Sequence, residues 1–238
     1  MSVRAILNVN CSGGEATCDA VTAAARRHGV NVRRSEAPGD AARLARAAIA
    51  EGVERLIIAG GDGTVNEVVN GLEPNLAGVE IAVLPCGTGN DLARSLGIEP
   101  GADWVEAMAV AAEGEAREAD LVRMRMDDEK ERCVINACSG GFAGDVKEQL
   151  TPERKERWGA LAYWIAGAVQ LTELDEYEME LTLDGVRQHG TILQLAVANG
   201  RTIGGGVPIA PDAVLNDGKL DVVIAPVQST VDLVGALI

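Results

Sequence analysis

The chain has 238 residues, 47% hydrophobic and 24% charged, which is enough apolar material for one large domain or, as expected here, two modest ones. Its 36 acidic residues outnumber 21 basic ones, and the formal net charge of −15 argues against nucleic acid as a partner, because that binding rests on neutralising phosphates with Lys and Arg. Five cysteines (Cys11, Cys18, Cys86, Cys133, Cys138) are odd in number and lack metal-ligand spacing, so a disulfide framework and a zinc site are both disfavoured and a reducing compartment fits best.

The first half alternates short apolar runs with Ala- and Arg-rich stretches. Residues 3–9, 30–33, 56–59 and 79–84 are predicted strands, and residues 16–28 and 40–51 predicted helices. The opening run after Arg4 covers only residues 5–9, which makes it a strand rather than a signal peptide. This rhythm predicts a parallel, doubly wound sheet. Ligands of such sheets sit at the carboxyl ends of the strands, where both Gly-rich segments of this half fall.

The first segment, LIIAGGDGTVNEVVNGL (residues 56–72), runs an apolar strand into the turn Gly60, Gly61, Asp62, Gly63 and leaves it through a helix expected to start near Thr64. Glycines allow close backbone approach, and the turn amides with the positive end of the helix face any bound anion. Asp62 would be repelled by phosphate unless a metal lies between them or the carboxylate handles a proton, which points to phosphoryl chemistry. A second turn, Pro85 to Asp91, follows the strand at 79–84 and precedes a predicted helix at 92–96, offering Thr88 and Asn90 as neutral hydrogen-bonding groups and Asp91 as a second acid. No Walker A or G-x-G-x-x-G sequence is present.

Beyond about residue 120 the pattern changes to period-two runs at 177–183, 191–198 and 220–225, with a predicted helical segment at about 155–174. Strands following strands predict an antiparallel second domain with a helix packed on it, hence domains at 1–120 and 121–238. The longest uncharged stretch, residues 158–171, falls short of the ~20 that span a bilayer, so a soluble cytoplasmic protein is expected. That stretch carries Trp158, Tyr163 and Trp164 in a chain with 3% aromatics, and reads either as a buried helix or as a lipid-contact surface. Gly204, Gly205 and Gly206 read either as a mobile gate or as a bulged turn.

The motifs GGDGTVNEVVNGL (60–72) and LPCGTGNDLARSLGI (84–98) closely resemble the bacterial and archaeal lipid kinases of the diacylglycerol kinase catalytic-domain family, relatives of sphingosine and ceramide kinases. INACSGGFAGDV (135–146), WGALAYWIAGAVQL (158–171) and VANGRTIGGGVPIAPDAVLNDGKLDVVI (197–224) extend the likeness, in order, over nearly the whole chain. The GGDGT turn alone is shared with NAD kinases and phosphofructokinase-like folds. GTGNDLAR and GGG-x-x-IAP-x-A narrow the match to the lipid-kinase branch.

The resemblance implies an NAD kinase/phosphofructokinase-like nucleotide-binding domain followed by an antiparallel β-rich lipid and metal-loop domain. The implied activity is ATP- and Mg-dependent phosphorylation of a hydroxyl of diacylglycerol or a related lipid at the inner membrane face, with a homodimer left open as the assembly. It places the nucleotide at Gly60, Gly61, Asp62, Gly63, Thr64, Val65, Asn66, Gly87, Thr88 and Asn90, with Ser35 and either Asn8 or, preferably, Asn10. Asp62, Asp91 and Asp120 resemble the family's interdomain acids that organise Mg and waters. The 214–220 loop resembles its metal loop, with Asp217 and the carbonyls of Val214 and Lys219 as oxygen ligands for a hard cation. Family members continue past residue 238 through an Asp-Gly-Glu segment whose acid takes the acceptor proton. The expectation is therefore a truncated chain or a natural short form, with Asp62 as the internal substitute base; a non-catalytic binding module and, less favoured, an NAD-kinase-like enzyme are the alternatives.

Overall fold

The computed structural model describes residues 1–74, 76–101, 103–127, 130–141 and 176–226. Four parallel strands, β1 (Val3–Asn8), β2 (Asn31–Ser35), β3 (Arg55–Gly60) and β4 (Glu80–Pro85), form a sheet in the order β2-β1-β3-β4. Ala5 lies opposite Val32 on one side and Ile57 on the other, and Ile57 opposite Ala82. The chain runs from β1 outward to β2, then crosses back to β3, so the order reverses between β1 and β3. That reversal opens a crevice at the strands' carboxyl ends, where Asn8 and Gly60 stand.

Alternation along the central strands sorts the core into two layers. Ala5, Leu7, Ile57 and Ala59 pack against α1 (Gly14–Arg27) and α5 (Trp104–Glu113). Ile6, Leu56 and Ile58 face α2 (Asp40–Ala50), α3 (Asp62–Leu72) and α4 (Asp91–Ser95). All of these strand residues are fully buried, as expected for a sheet covered on both faces. At the end of α1 the basic last turn, Arg26 and Arg27, complements the helix dipole, and Gly29 at φ 66 lets the Val30 amide bond back to the Ala25 carbonyl. At the start of α2, the Arg43 guanidinium and the Glu36 and Ala37 amides hold the Asp40 carboxyl below its ordinary value.

The structure departs from the sequence reading at two helices. Helix α3 begins at Asp62, two residues before the expected start, because Gly61 takes the N-cap position and its carbonyl accepts the Thr64 and Val65 amides. Helix α5 has no counterpart among the expected elements; its signal is Asp103, whose carboxylate accepts the Val105 amide at 2.7 Å and the Glu106 amide at 3.3 Å. The far end of α5 is held by Arg55, only 5% exposed, whose guanidinium donates to the Ala111 and Gly114 carbonyls and pairs with Glu80 at 2.6 Å.

The rest of the described chain is antiparallel. β5 (Val122–Arg125) and β6 (Glu131–Val134) form a hairpin laid on α3, where the Asn70 side chain exchanges two 2.8 Å bonds with the Cys133 backbone. β9 (Val186–Ala198) is the spine of the second sheet: β8 (Tyr177–Leu183) pairs with its first half, while β7 (Ala137–Gly141) and β12 (Asp221–Pro226) flank its second. β10 (Thr202–Ile203) and β11 (Val207–Pro208) make a small hairpin. Its turn is Gly204, Gly205 and Gly206 at φ 63, 94 and 109, a left-handed run open to glycine. The expected helical segment at 155–174, with Trp158, Tyr163 and Trp164, lies outside the described residues.

The two regions are joined by a buried polar seam. Ser95 Oγ donates to the Asn136 side-chain oxygen at 3.0 Å and accepts the Arg201 amide at 2.9 Å, and the Asn136 carbonyl accepts the Asn199 and Gly200 amides. Gly200 has to lack a side chain, because a Cβ would run into the Asn136 amide and stand 2.7 Å from Ser95 Oγ.

Candidate functional site

The carboxyl ends of β3 and β4 put the two Gly-rich turns in backbone contact. A Cβ on Gly61 would lie 3.0 Å from the Gly87 Cα, and one on Gly87 would collide with the Gly61 Cα. Asn90 fixes the second turn from within: at φ 55 its amide accepts the Gly87 N–H at 2.8 Å and donates to the Gly87 carbonyl at 2.6 Å. Gly60 lies tight under Thr64, where a Cβ would stand 2.7 Å from the threonine side chain.

Above these turns lies a cleft of about 420 Å³ lined by Asn8, Asn10, Cys11, Ser35, Ala37, Pro38, Gly61, Gly63, Thr64, Glu67 and Gly87. This volume is in the range of small-molecule sites. The Asn8 amide donates to Thr64 Oγ1 at 2.9 Å, which leaves the threonine's own hydrogen available to a ligand, while Asn8 Oδ1 orders the loop by accepting the Asn10 amide. Asp62 and Gly63, in the first turn of α3, have backbone N–H groups without intrahelical partners, the ordinary state of a helix start. The chemistry on offer is a Gly-lined floor with hydroxyl, amide and backbone donors, suited to an anion.

Beyond Gly87 the floor turns toward the second region through two carboxylates. Asp62 accepts the Asp91 amide at 3.1 Å and the Leu92 amide at 2.9 Å, so it caps α4 from another element. Asp91 accepts the Gly206 amide at 2.8 Å and the Gly205 amide at 3.0 Å, tying α4 to the β10–β11 turn. Gly89 leaves the space between them open: a Cβ there would stand 3.0 Å from Asp62 Oδ2 and 3.3 Å from Asp91 Oδ2. Gly204 to Gly206 form the turn of the β10–β11 hairpin, and the Gly205 and Gly206 amides donate to Asp91.

Of the twelve residues expected at a nucleotide, six line the cleft: Asn10, Ser35, Gly61, Gly63, Thr64 and Gly87. Gly60 supports it from below and Asp62 lies beside it. Val65 faces the core at 1% exposure, Asn66 accepts the Asn70 amide, Thr88 points to solvent, and Asn90 is consumed by Gly87. Both Asn8 and Asn10 reach the cleft, but Asn8 carries the bond to Thr64. Glu67 is absent from the expected set, although it lies one helical turn beyond Gly63 and Thr64 on the same face; its carboxylate accepts the Ala42 amide at 3.2 Å. Cys11, Ala37 and Pro38, on the loops after β1 and β2, join the cleft without having been expected there.

The 214–220 loop folds around Asp120. Asp120 Oδ2 accepts the Gly218 amide at 2.7 Å, its own amide donates to the Leu215 carbonyl, and its carbonyl accepts the Asn199 side chain. Asp217 Oδ1 accepts the Lys219 amide at 3.0 Å, and Val214 is exposed. Among the described residues no group of three or more His, Cys, Asp or Glu is placed to hold a metal. All five cysteines are free, and Cys11 and Cys18 bring their sulfurs to 3.6 Å behind the cleft. Burial, then the hydrogen bond with Cys18, pushes the Cys11 thiol up to about 11, and burial pushes Cys86 to about 12, so both are inert thiols at neutral pH.

Residues 3–124 match the Diacylglycerol kinase catalytic domain, and residues 136–238 match the YegS C-terminal NAD kinase beta sandwich-like domain. The chain belongs to the diacylglycerol kinase catalytic domain family. It is 34% identical over 210 residues to the Pseudomonas putida protein named Probable lipid kinase YegS-like, covering 87% of this chain and 67% of the relative. It is 37% identical over 186 residues to a protein named Diacylglycerol kinase from Bacillus subtilis, covering 78% of this chain and 59% of the relative. A solved structure described as a diacylglycerol kinase from Bacillus anthracis superposes with a TM-score of 0.76 at 22% identity, covering 99% of this chain and 77% of that one, which establishes the shared fold. The family is one of lipid kinases, and no helix among the described residues is long and apolar enough to cross a membrane.

Proposed function

We propose that the chain acts as an ATP- and Mg-dependent lipid kinase that moves the γ-phosphoryl group of ATP to a hydroxyl of diacylglycerol or a related lipid presented at a membrane surface. The observation that carries this reading is the proximity of two features: an anion-suited cleft over the Gly61–Gly87 crossing and, beside the same turn, the Asp62 and Asp91 carboxylates where the two regions meet. Phosphoryl transfer needs positioning and charge stabilisation more than covalent help from the protein. Thr64, Asn8 and the first amides of α3 would hold phosphate oxygens, and Ser35 and Glu67 would meet the rest of the nucleotide.

Asp62 already spends one lone pair of each oxygen on an amide, so it would take the acceptor proton through a remaining one. The oxygen donors at Val214, Asp217 and Lys219 fit a hard divalent ion, which would stiffen the loop around Asp120, and a second one with the nucleotide would neutralise charge on the phosphates.

The test is transfer of labelled γ-phosphate from Mg-ATP to a panel of dispersed lipids, with the 238-residue chain and with the full reading frame of its gene. Label in a lipid product is expected. Saturable ATP binding with no label in any lipid from either form would replace the kinase with a non-catalytic binding module.

A further inference from the structure

Arg94 is a cation that makes no direct ion pair among the described residues, although two carboxylates stand near it. It sits in α4, three residues after Asp91, half-buried on the side of the Gly87–Gly89 turn that faces the second region. Its Nε reaches the Gly89 carbonyl at 3.4 Å, a marginal bond, and its guanidinium lies against the Gly204–Gly206 turn: a Cβ on Gly206 would be 3.3 Å from Nε and 3.5 Å from Cζ. Among the described residues it forms no ion pair with any carboxylate. Asp62 and Asp91 stand on either side of Gly89, accept the amides of Asp91, Leu92, Gly205 and Gly206, and do not come within ion-pair distance of the guanidinium. In a chain of net charge −15, a half-buried guanidinium held by two backbone turns with no direct carboxylate partner among the described residues is out of the ordinary, because such charges are usually paired.

Position decides what Arg94 can reach. The cleft is lined as far as Gly61 and Gly87, and the same turn continues to Gly89, whose carbonyl Arg94 Nε reaches; on the lipid-kinase reading, the group extending past Gly87 would be the far end of a bound polyphosphate. Guanidinium forks match pairs of phosphate oxygens. Resting on the lipid-kinase reading, we propose that Arg94 grips the γ-phosphoryl group of the nucleotide and holds its charge during transfer. In that step the bond from the γ-phosphorus to the β–γ bridging oxygen breaks, a bond to the acceptor oxygen forms, and the acceptor proton leaves to a carboxylate; Arg94 gives and takes no proton. The β-phosphate and the nucleoside stay with the cleft residues, so Arg94 separates ATP from ADP.

The experiment is calorimetric binding of Mg-ATP and Mg-ADP to the wild type, Arg94→Gln and Arg94→Lys, with thermal unfolding of each. Arg94→Gln is expected to weaken ATP roughly tenfold or more, the scale of a lost charged hydrogen-bonding pair, while ADP affinity stays within about twofold. Arg94→Lys, which keeps the charge and loses the fork, should fall between. Equal loss for both nucleotides, with a lowered melting temperature, would make Arg94 a structural peg and overturn the proposal, as would no loss for either. A wild type that binds no ADP removes the nucleotide reading itself and this proposal with it, whereas in one that binds ADP the ATP comparison alone decides the role of Arg94.

Discussion

Asp62→Asn is the obvious substitution for silencing an acid in this site, and the structure predicts that it is not silent for stability. Both Asp62 oxygens accept amides at the start of α4, from Asp91 at 3.1 Å and Leu92 at 2.9 Å. Asparagine keeps one acceptor and turns an NH2 group toward the other amide, so one capping bond becomes a donor–donor contact. Loss of a cap, with one amide left unsatisfied, costs about 1–2 kcal/mol. At roughly 2–4 °C per kcal/mol for a chain of this size, the melting temperature should fall by about 2–8 °C. Thermal unfolding followed by far-ultraviolet circular dichroism, in buffer without nucleotide, reads this directly. A variant that melts within about 1 °C of the wild type would refute the capping role and return Asp62 to chemistry alone. If the shift is found, loss of turnover in this variant has to be divided between a displaced α4 and a missing base.

The crossing of the two turns gives a paired prediction. Gly87→Ala should destabilise by about 1–3 kcal/mol, because its methyl group meets the Gly61 backbone and cannot be accommodated by a rotamer change, and it should weaken nucleotide binding by spreading the cleft floor. Gly63→Ala, in the first turn of α3 where a Cβ meets nothing within 4 Å, should leave the melting temperature unchanged or raise it; a drop comparable to that of Gly87→Ala would contradict the steric account. Asp217→Ala is expected to lower the melting temperature measured with millimolar magnesium and to abolish the response to chelator, and a chelator effect that survives the substitution would place the ion elsewhere. The raised thiols set an alkaline limit: stability from burying neutral Cys11 and Cys86 is fully present below their ordinary value of 9.0 and is lost as pH rises through about 11 and about 12. Urea midpoints at alkaline pH should recover in a Cys86→Ala variant relative to its own neutral value, and an unchanged pH slope would dismiss the thiols as the cause.

The parallel sheet is legible in the sequence because the centres of β1 (Ala5 to Leu7) and β3 (Leu56 to Ala59) are buried on both faces and read as short apolar runs, and because glycine marks the end of β3 and the turn after β4. The antiparallel strands β8, β9 and β12 show through their period of two. What the sequence hides are bonds that cross elements. Asp62 reads as an acid aimed at a ligand, yet it caps α4, about thirty positions on; Asp91 reads as a second acid, yet it holds the Gly205 and Gly206 amides. Neither partner is implied by local pattern. The Cys11–Cys18 contact escapes for a similar reason. A spacing of seven carries no signal unless the chain doubles back between the two, and it does so at Gly13 and Gly14, both at positive φ.

The dependence of the second sheet on β9 has a consequence for synthesis of the chain. All four strands of the first sheet are complete by Pro85, so that layer can close early around its own helices. β7 is finished at Gly141, but the residues it pairs with run from Gln194 to Ala198. On the ribosome, β7 therefore leaves the exit tunnel with an unpaired edge and keeps it until the end of β9 follows, a long-range pairing that is slow and exposed to wrong partners. A translation pause between Gly141 and Gln194 is therefore expected to prolong the exposure of that edge.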